Sequence, residues 1–320
     1  MTTTQNIRTG GKARIVALLA LGAVLAAVAA MVAGTPREAD AAYPGSNSRV
    51  AFVSDRTKGT GVVNPTGDYE IFTMKPDGTG VKQLTFNEVD EATPSFSADG
   101  QAIVFASRRD GNQEIYVMNP DGSGQRRITN NIVNDSSPTI SPDGVWLAYE
   151  SERGGNREII AWAAGNEYNL TNNGANDQFP VYSPDGKKIA FESDRGGDLE
   201  IVVMNSDGSG TPTNLTNNTV ADQFPDWSPN GNKIAFTSSQ GDYVDTFVMN
   251  ADGSGRKNLT NDAAPELMPA FSPDGKKIAS HRRFRQNWDV SVLTLATGER
   301  KRLTDNLAYD LAPDWRPLVN

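Results

Sequence analysis

Apolar residues in this chain fall in short runs of three to five, each closed by Gly, Pro, Asn or Asp, and the runs recur at a fixed spacing. Such punctuation predicts short β-strands joined by tight turns, not helices. Ser-Pro-Asp-Gly, or a close variant, begins at Ser97, Ser141, Ser183, Ser228 and Ser272, every 42 to 45 residues. A proline precedes each of these serines by three residues, and Pro313 continues the series. The spacing fills the chain from about Arg49 to Pro317.

Each unit reads as four strands. The first follows its proline and carries a bulky residue two positions on: Phe96, Ile140, Tyr182, Trp227, Phe271 or Trp315. The Pro-Asp-Gly turn leads to a second strand of the Ile189-Ala190-Phe191 type, since Pro fixes φ and Gly accepts a positive φ. The third, such as Ile201 to Met204, is apolar without alternation, as expected of a strand covered on both faces. Asn-x-Asp-Gly-Ser-Gly then turns into a fourth strand ending in Leu-Thr or Ile-Thr. Four antiparallel strands repeated six times predict an all-β, six-bladed β-propeller, because only a closed ring leaves no blade with a bare apolar face. The repeat starts on a second strand (Arg49 to Val53) and ends on a first strand (Pro313 to Arg316), so the last strand is expected to complete the blade begun at the N-terminus.

The pattern SPDGKKIAF…EIYVMN-x-DG-SG…LT resembles the WD-like repeats of the TolB-type propellers. That resemblance implies an envelope or extracellular propeller that binds other proteins, as TolB propellers dock a peptidoglycan-associated lipoprotein. TolB proteins carry an α/β domain ahead of the propeller. Here a short linker, residues 42–48, joins the propeller of residues 49–320 to a leader, and the expected organisation lacks that domain.

The leader is residues 1–41. Arg8, Lys12 and Arg14 precede an apolar run from Ile15 to Ala33, and Ala39-Asp40-Ala41 supplies a cleavage site, the three parts of a secretory signal peptide. The competing expectation is an uncleaved anchor, because the run is long enough to span a bilayer. Either way the chain is expected to be exported, to the periplasm and envelope or outside the cell, and a cleaved chain has no stable membrane insertion.

Composition narrows the chemistry. The absence of cysteine removes disulfides, thiolate nucleophiles and Cys-ligated metals. A single histidine, His281, rules out a His-rich metal cage. A net charge of −9 argues against nucleic acid as partner. No G-x-S-x-G elbow is present.

Candidate chemistry lies at one end of the strands, termed here the upper face, where the crossovers between blades and the loops between second and third strands meet. Three residues before each proline is an acid: Glu91, Asp135, Asp177, Asp222, Glu266 and Asp310. A second acid opens each third strand: Glu70, Glu114, Glu158, Glu200, Asp245 and Asp289. Four units end the second strand with an arginine, Arg56, Arg109, Arg153 or Arg195, whose fork suits two carboxylates and so reads as a structural ion pair. Surplus acids around a funnel would attract a basic segment of a partner protein or Ca²⁺. The fifth unit has Gln240 in place of the arginine, which leaves Asp245 and Glu266 as unpaired candidates. The Asp-Gly turns of the opposite, lower face read as hairpin turns, since no glutamate stands at the twelfth position of a calcium loop. Two irregular segments stand out, the enlarged loop Thr57 to Asp68 and the cluster His281 to Arg285.

The sequence therefore predicts an exported, monomeric, non-enzymatic protein-interaction scaffold that requires no cofactor. The alternative is a carbohydrate-active hydrolase using upper-face carboxylates, because a glycosidase needs only two acids at a suitable separation.

Overall fold

The computed structural model describes residues 46–318, apart from residue 242. The expected signal peptide lies outside the described residues, and residues 46–48 of the expected linker belong to the first strand.

The first blade holds β1 (Ser46–Ser54), β2 (Glu70–Met74) and β3 (Lys82–Gln83). The second holds β4 (Glu91–Phe96), β5 (Ile103–Asp110), β6 (Asn112–Met118) and β7 (Arg126–Arg127). The third holds β8 (Asp135–Ile140), β9 (Leu147–Arg153), β10 (Asn156–Ala163) and β11 (Asn166–Asn169). The fourth holds β12 (Asp177–Tyr182), β13 (Lys188–Ser193), β14 (Glu200–Asn205) and β15 (Thr213–Asn214). The fifth holds β16 (Asp222–Trp227), β17 (Lys233–Gln240), β18 (Tyr243–Asn250) and β19 (Lys257–Asn258). The sixth holds β20 (Glu266–Phe271), β21 (Lys277–Phe284), β22 (Asn287–Thr294) and β23 (Arg300–Arg302). The last strand, β24 (Asp310–Leu318), pairs with β1 in the register Val50↔Trp315 and Ser54↔Asp310, and so closes the ring in the first blade.

The core sits between blades. Phe52, Phe72 and Met74 of the first blade pack on Ala279, Val290 and Val292 of the sixth, and equivalent layers fill the other interfaces. Continuous apolar runs suit strands buried on both faces. The short fourth strands leave little unpaired edge exposed.

Prolines shape the channel. Lacking an N–H, Pro94, Pro138, Pro180, Pro225, Pro269 and Pro313 interrupt the ladder of each innermost strand, and a register shift accompanies every one. The residue before each proline adopts a left-handed backbone: Thr93, Ser137, Phe179, Phe224, Met268 and Ala312, with φ between 44° and 54°. Such a conformation costs on the order of 1 kcal/mol or more per non-glycine residue, and here the repeat imposes it six times around the channel.

The Asp-Gly hairpins fix the distance between blades. Gly122 has φ 91°, and a Cβ there would meet the Leu84 carbonyl oxygen of the preceding blade at 2.7 Å. Gly78 meets the Leu303 carbonyl in the same way, at 2.5 Å. Gly144, with φ 73°, has open space around its Cβ position. Gly122→Ala is therefore expected to destabilise the protein by about 2 kcal/mol, and Gly144→Ala by clearly less. Urea denaturation of the two variants checks this; equal losses would show that backbone strain acts alone, without the contact between blades.

Candidate functional site

All twelve ring acids occupy their expected places on the upper side, and all are buried, at 0–3% exposure. What brings them together is the crossover. In five crossovers an asparagine (Asn87, Asn131, Asn173, Asn218 or Asn306) donates its side-chain amide to the first-strand acid four residues on, at 2.5–2.7 Å. In the first four of these its backbone N–H also donates to the third-strand acid, at 2.5–3.0 Å. The threonine of the Leu-Thr ending completes the knot: Thr129 Oγ1 accepts the Ile115 N–H at 2.9 Å and donates to Glu114 at 2.6 Å. These Asn and Thr partners repeat in the sequence as visibly as the acids do, and the sequence reading passed over them.

The expected arginine clamps are present. Arg56 reaches Asp310 at 2.6 Å, Arg109 reaches Glu91 at 2.8 Å and Arg195 reaches Asp177 at 2.9 Å, each with Nε donating to the serine at the end of the second strand. Arg153 sits 3.9 Å from Asp135 and turns mainly to Glu167, at 2.9 Å. The guanidinium carbons of Arg56, Arg109 and Arg195 also lie within 5.5 Å of Phe or Tyr ring centroids, which adds cation–π attraction.

The fifth blade differs from expectation. Gln240 does remove an arginine, but Arg256, entering from the fourth-strand side, grips Asp222 with two hydrogen bonds of 2.8 and 3.1 Å and donates to Ser238. Asp245 is held by Asn258 and Thr260. Glu266 is not isolated: Arg282 and Arg300 lie 3.6 and 3.4 Å from its Oε2, although that oxygen accepts no hydrogen bond among the described residues. Asp262 stands where the other crossovers have asparagine, and it draws both arginines. Burial opposes its ionisation, but hydrogen bonds from Arg282, the Ala264 N–H and Arg300 hold its carboxyl down at about 2.

A second set of ionisable groups stitches the blades together at the channel wall. Glu150 Oε2 accepts the Phe179 N–H at 3.1 Å, and Glu192 Oε2 accepts the Phe224 N–H at 3.0 Å. Asp226 Oδ2 accepts the Phe271 N–H and Asp314 Oδ2 the Phe96 N–H, both at 2.6 Å. His281 Nδ1 accepts the Ala312 N–H at 3.4 Å. Every one of these bonds joins a blade to the next. Three of the donors, Phe179, Phe224 and Ala312, are left-handed residues before proline, so the stitch helps hold the strained backbone. Burial pushes Glu192 and Asp226 up to about 8 and Asp314 up to about 7, and it pushes His281 down to about 3. The sequence reading singled out His281 but passed over the four acids. Their signal was a departure from the repeat, with Asp226 and Asp314 standing where the other blades have Ser95, Thr139, Val181 and Ala270.

The channel itself is narrow. Its upper part, lined by the residues flanking the prolines, encloses about 130 Å³, and its lower part, toward the Ser-Pro-Asp-Gly turns, about 100 Å³. Both lie below the roughly 300 Å³ at which small-molecule sites begin. Among the described residues no group of three or more Asp, Glu or His is arranged to hold a metal ion. On the lower face Asp121 and Asp252 each accept the backbone N–H and hydroxyl of the serine two residues on, as turn-forming aspartates do.

The rim is apolar. Of the seven large hydrophobic side chains most exposed among the described residues, six belong to upper-face segments: Val63, Phe86, Ile132, Tyr243, Leu307 and Tyr309. Ile132 and Leu307, at crossover tips, are 96% and 101% exposed.

Two outcomes follow from this geometry. Asp226 and Asp314 prefer the neutral form when folded and ionise near pH 4 when unfolded, so their contribution to stability is full below about pH 4 and is lost as pH rises through about 7 to 8. Asp226→Asn/Asp314→Asn, which keeps an acceptor for each N–H, is expected to flatten the fall in Tm between pH 5 and 8.5; an unchanged slope would refute the assignment. Arg256→Gln is expected to cost about 3 kcal/mol by stranding Asp222. Gln240→Arg in that background should recover part of the loss in a denaturant titration.

Comparison with known proteins agrees with the geometry. The sequence profile of the TolB beta propeller domain family matches residues 89–167, 158–266 and 200–319. Among solved structures, TolB from Acinetobacter baumannii superposes with a TM-score of 0.74 at 24% identity, over 86% of this chain and 68% of that one. The putative TolB from Agrobacterium tumefaciens gives 0.64 at 19% identity, over 86% and 100%. An oligogalacturonate lyase in complex with manganese shares the fold more distantly, with a TM-score of 0.53 at 16% identity over 82% and 74%. No functionally curated protein gives a significant match. From a repeat that fills the ring and a profile that matches from residue 89 to residue 319, the chain belongs to the TolB beta propeller domain family.

Proposed function

We propose that this chain is an exported, non-enzymatic propeller that docks a partner protein on its upper face. The observation that carries the reading is the clustering of exposed apolar side chains there, six of the seven among the described residues. Scattered single hydrophobics are ordinary on a protein surface, whereas their concentration on one face marks an interaction site. The two rings of carboxylates serve this surface as its frame: the crossovers that carry Phe86, Ile132 and Leu307 are held by ring acids Glu91, Asp135 and Asp310 through Asn87, Asn131 and Asn306. Contact with a basic segment would then fall to exposed acids such as Glu88 and Asp90, with the buried rings adding to the field. Membership of a family whose relatives in solved structures include TolB supports the same role. Against the hydrolase alternative stand the burial of the twelve upper-face ring acids, which keeps their carboxylates from a glycan, and the small volume of the channel. Among the described residues no helix is long and apolar enough to cross a membrane, and the apolar run of the leader lies outside them.

The test is capture of partners by the tagged full chain in its native cells. Wild type is compared with Ile132→Ser/Leu307→Ser on the upper face and with Lys187→Ala on the lower. A protein retained by wild type and by Lys187→Ala, and reduced about tenfold by the upper-face pair, is the expected result. Equal recovery in all three would count against docking on this face.

A further inference from the structure

Resting on that reading, we infer that the docking surface centres on the first blade and receives a segment of the partner that combines basic and apolar side chains. Three upper-face elements converge there: the enlarged loop after β1, the crossover from β3 to β4, and the crossover from β23 to β24. They are tied to one another. The Tyr309 N–H donates to Asp55 at 2.7 Å, the Tyr69 N–H donates to Asp90 at 3.0 Å, and Tyr69 is close enough to Asp55, Asp90 and Tyr309 to feel all three. The loop is held from beneath, with Gln83 exchanging hydrogen bonds with the backbone of Val63 at 2.7 and 3.0 Å. The surface is thus built before a partner arrives, and little ordering is required on binding.

Four of the six exposed upper-face hydrophobics lie on these three elements: Val63, Phe86, Leu307 and Tyr309. The acids among them are Asp55, Asp68, Glu88, Asp90 and Asp305, the last paired with Arg302 at 2.6 Å. Glu88 and Asp90 are exposed, and Glu88 has no ionic partner among the described residues. Burial, and then the charges of Asp55 and Asp90, push the Tyr69 hydroxyl up to about 12, and burial raises the Asp55 carboxyl. The neighbouring arginines are committed, Arg56 to Asp310 and Arg302 to Asp289 and Asp305. Among the described residues Lys58 and Arg108 are the basic residues left exposed nearby, too few to balance the four acids other than Asp305. An apolar surface edged with unmatched acids is complementary to alternating cationic and apolar side chains, in which the cations confer steering and register while the apolar groups supply the burial.

Binding of a fluorescent peptide of alternating Lys and Leu to the full chain tests this, beside Glu–Leu and Lys–Gly peptides of the same length. Wild type is expected to bind the Lys–Leu peptide about tenfold more tightly than either control, and less tightly as salt rises. Phe86→Ser/Leu307→Ser and, separately, Glu88→Gln/Asp90→Asn should each weaken it about fivefold or more, with unchanged thermal melts confirming that the ring is intact. Equal affinity for all three peptides, or indifference to both pairs of substitutions, would overturn the inference. So would a concentration-dependent dimer in sedimentation that the Leu307 variant abolishes, since the patch would then close on a second copy. If the native partner survives the first-blade substitutions and is lost on Ile132→Ser/Tyr243→Ser, upper-face docking stands and its placement on the first blade falls.

Discussion

A buried carboxylate must be given hydrogen bonds, and this structure places two in every blade where the chain has the hardest turn to make. Each crossover leaves an outer strand and enters the innermost strand of the next blade, which exposes a run of backbone N–H groups to the interior. In four blades the third-strand acid accepts one of them, from the crossover asparagine, and the other ring acids accept side-chain donors of the same crossovers and strand ends. A carboxylate offers about four acceptor sites, enough for the crossover asparagine, a serine or threonine hydroxyl and a guanidinium together. Without those partners each acid would carry a desolvation penalty of several kcal/mol. The frame and its charges are therefore specified as a unit, and the loops above it are held in one geometry.

The units that break the pattern show how strict this requirement is. Where Gln240 removes a guanidinium, Arg256 supplies one from a different strand. Where Asp262 replaces the crossover asparagine, Arg282 and Arg300 converge on the added charge. Position along the chain is negotiable in these blades, but a guanidinium beside the first-strand acid is kept. At the channel wall the balance is struck by protonation instead. Among the described residues no cation faces Asp226 or Asp314, and burial pushes the two carboxyls up to about 8 and about 7.

The fold was legible because it is written six times. Periodic prolines, Asp-Gly turns and apolar runs determine strand, turn and ring closure locally, and β1 and β24 pair as their repeat positions require. The acids and arginines were legible for the same reason. Their burial was not, because a sequence position at a loop edge does not reveal whether the crossover folds over it. Nor could the repeat disclose that Arg256 reaches Asp222 from 34 residues away, a contact that depends on how the blade folds back on itself. Asp226, Asp314, Glu150 and Glu192 lie at positions that other units fill with apolar or small residues or, in the sixth blade, with His281. Attention to what repeats passes over what departs from it, and at the channel the departures do the stitching. The exposed rim has a similar origin: Ile132 and Leu307 share one variable crossover position with Glu88, Gly174, Thr219 and Ala263.

The division between a buried acidic frame and an apolar contact rim is the central claim, and site-specific photo-crosslinking in native cells addresses it most directly. A photoreactive side chain would replace Phe86, Leu307 or, on the lower face, Lys187, one at a time in the full chain. The account predicts a discrete protein adduct from the two upper-face positions and none from Lys187. Adducts arising only from the lower face, or from none of the three, would contradict it.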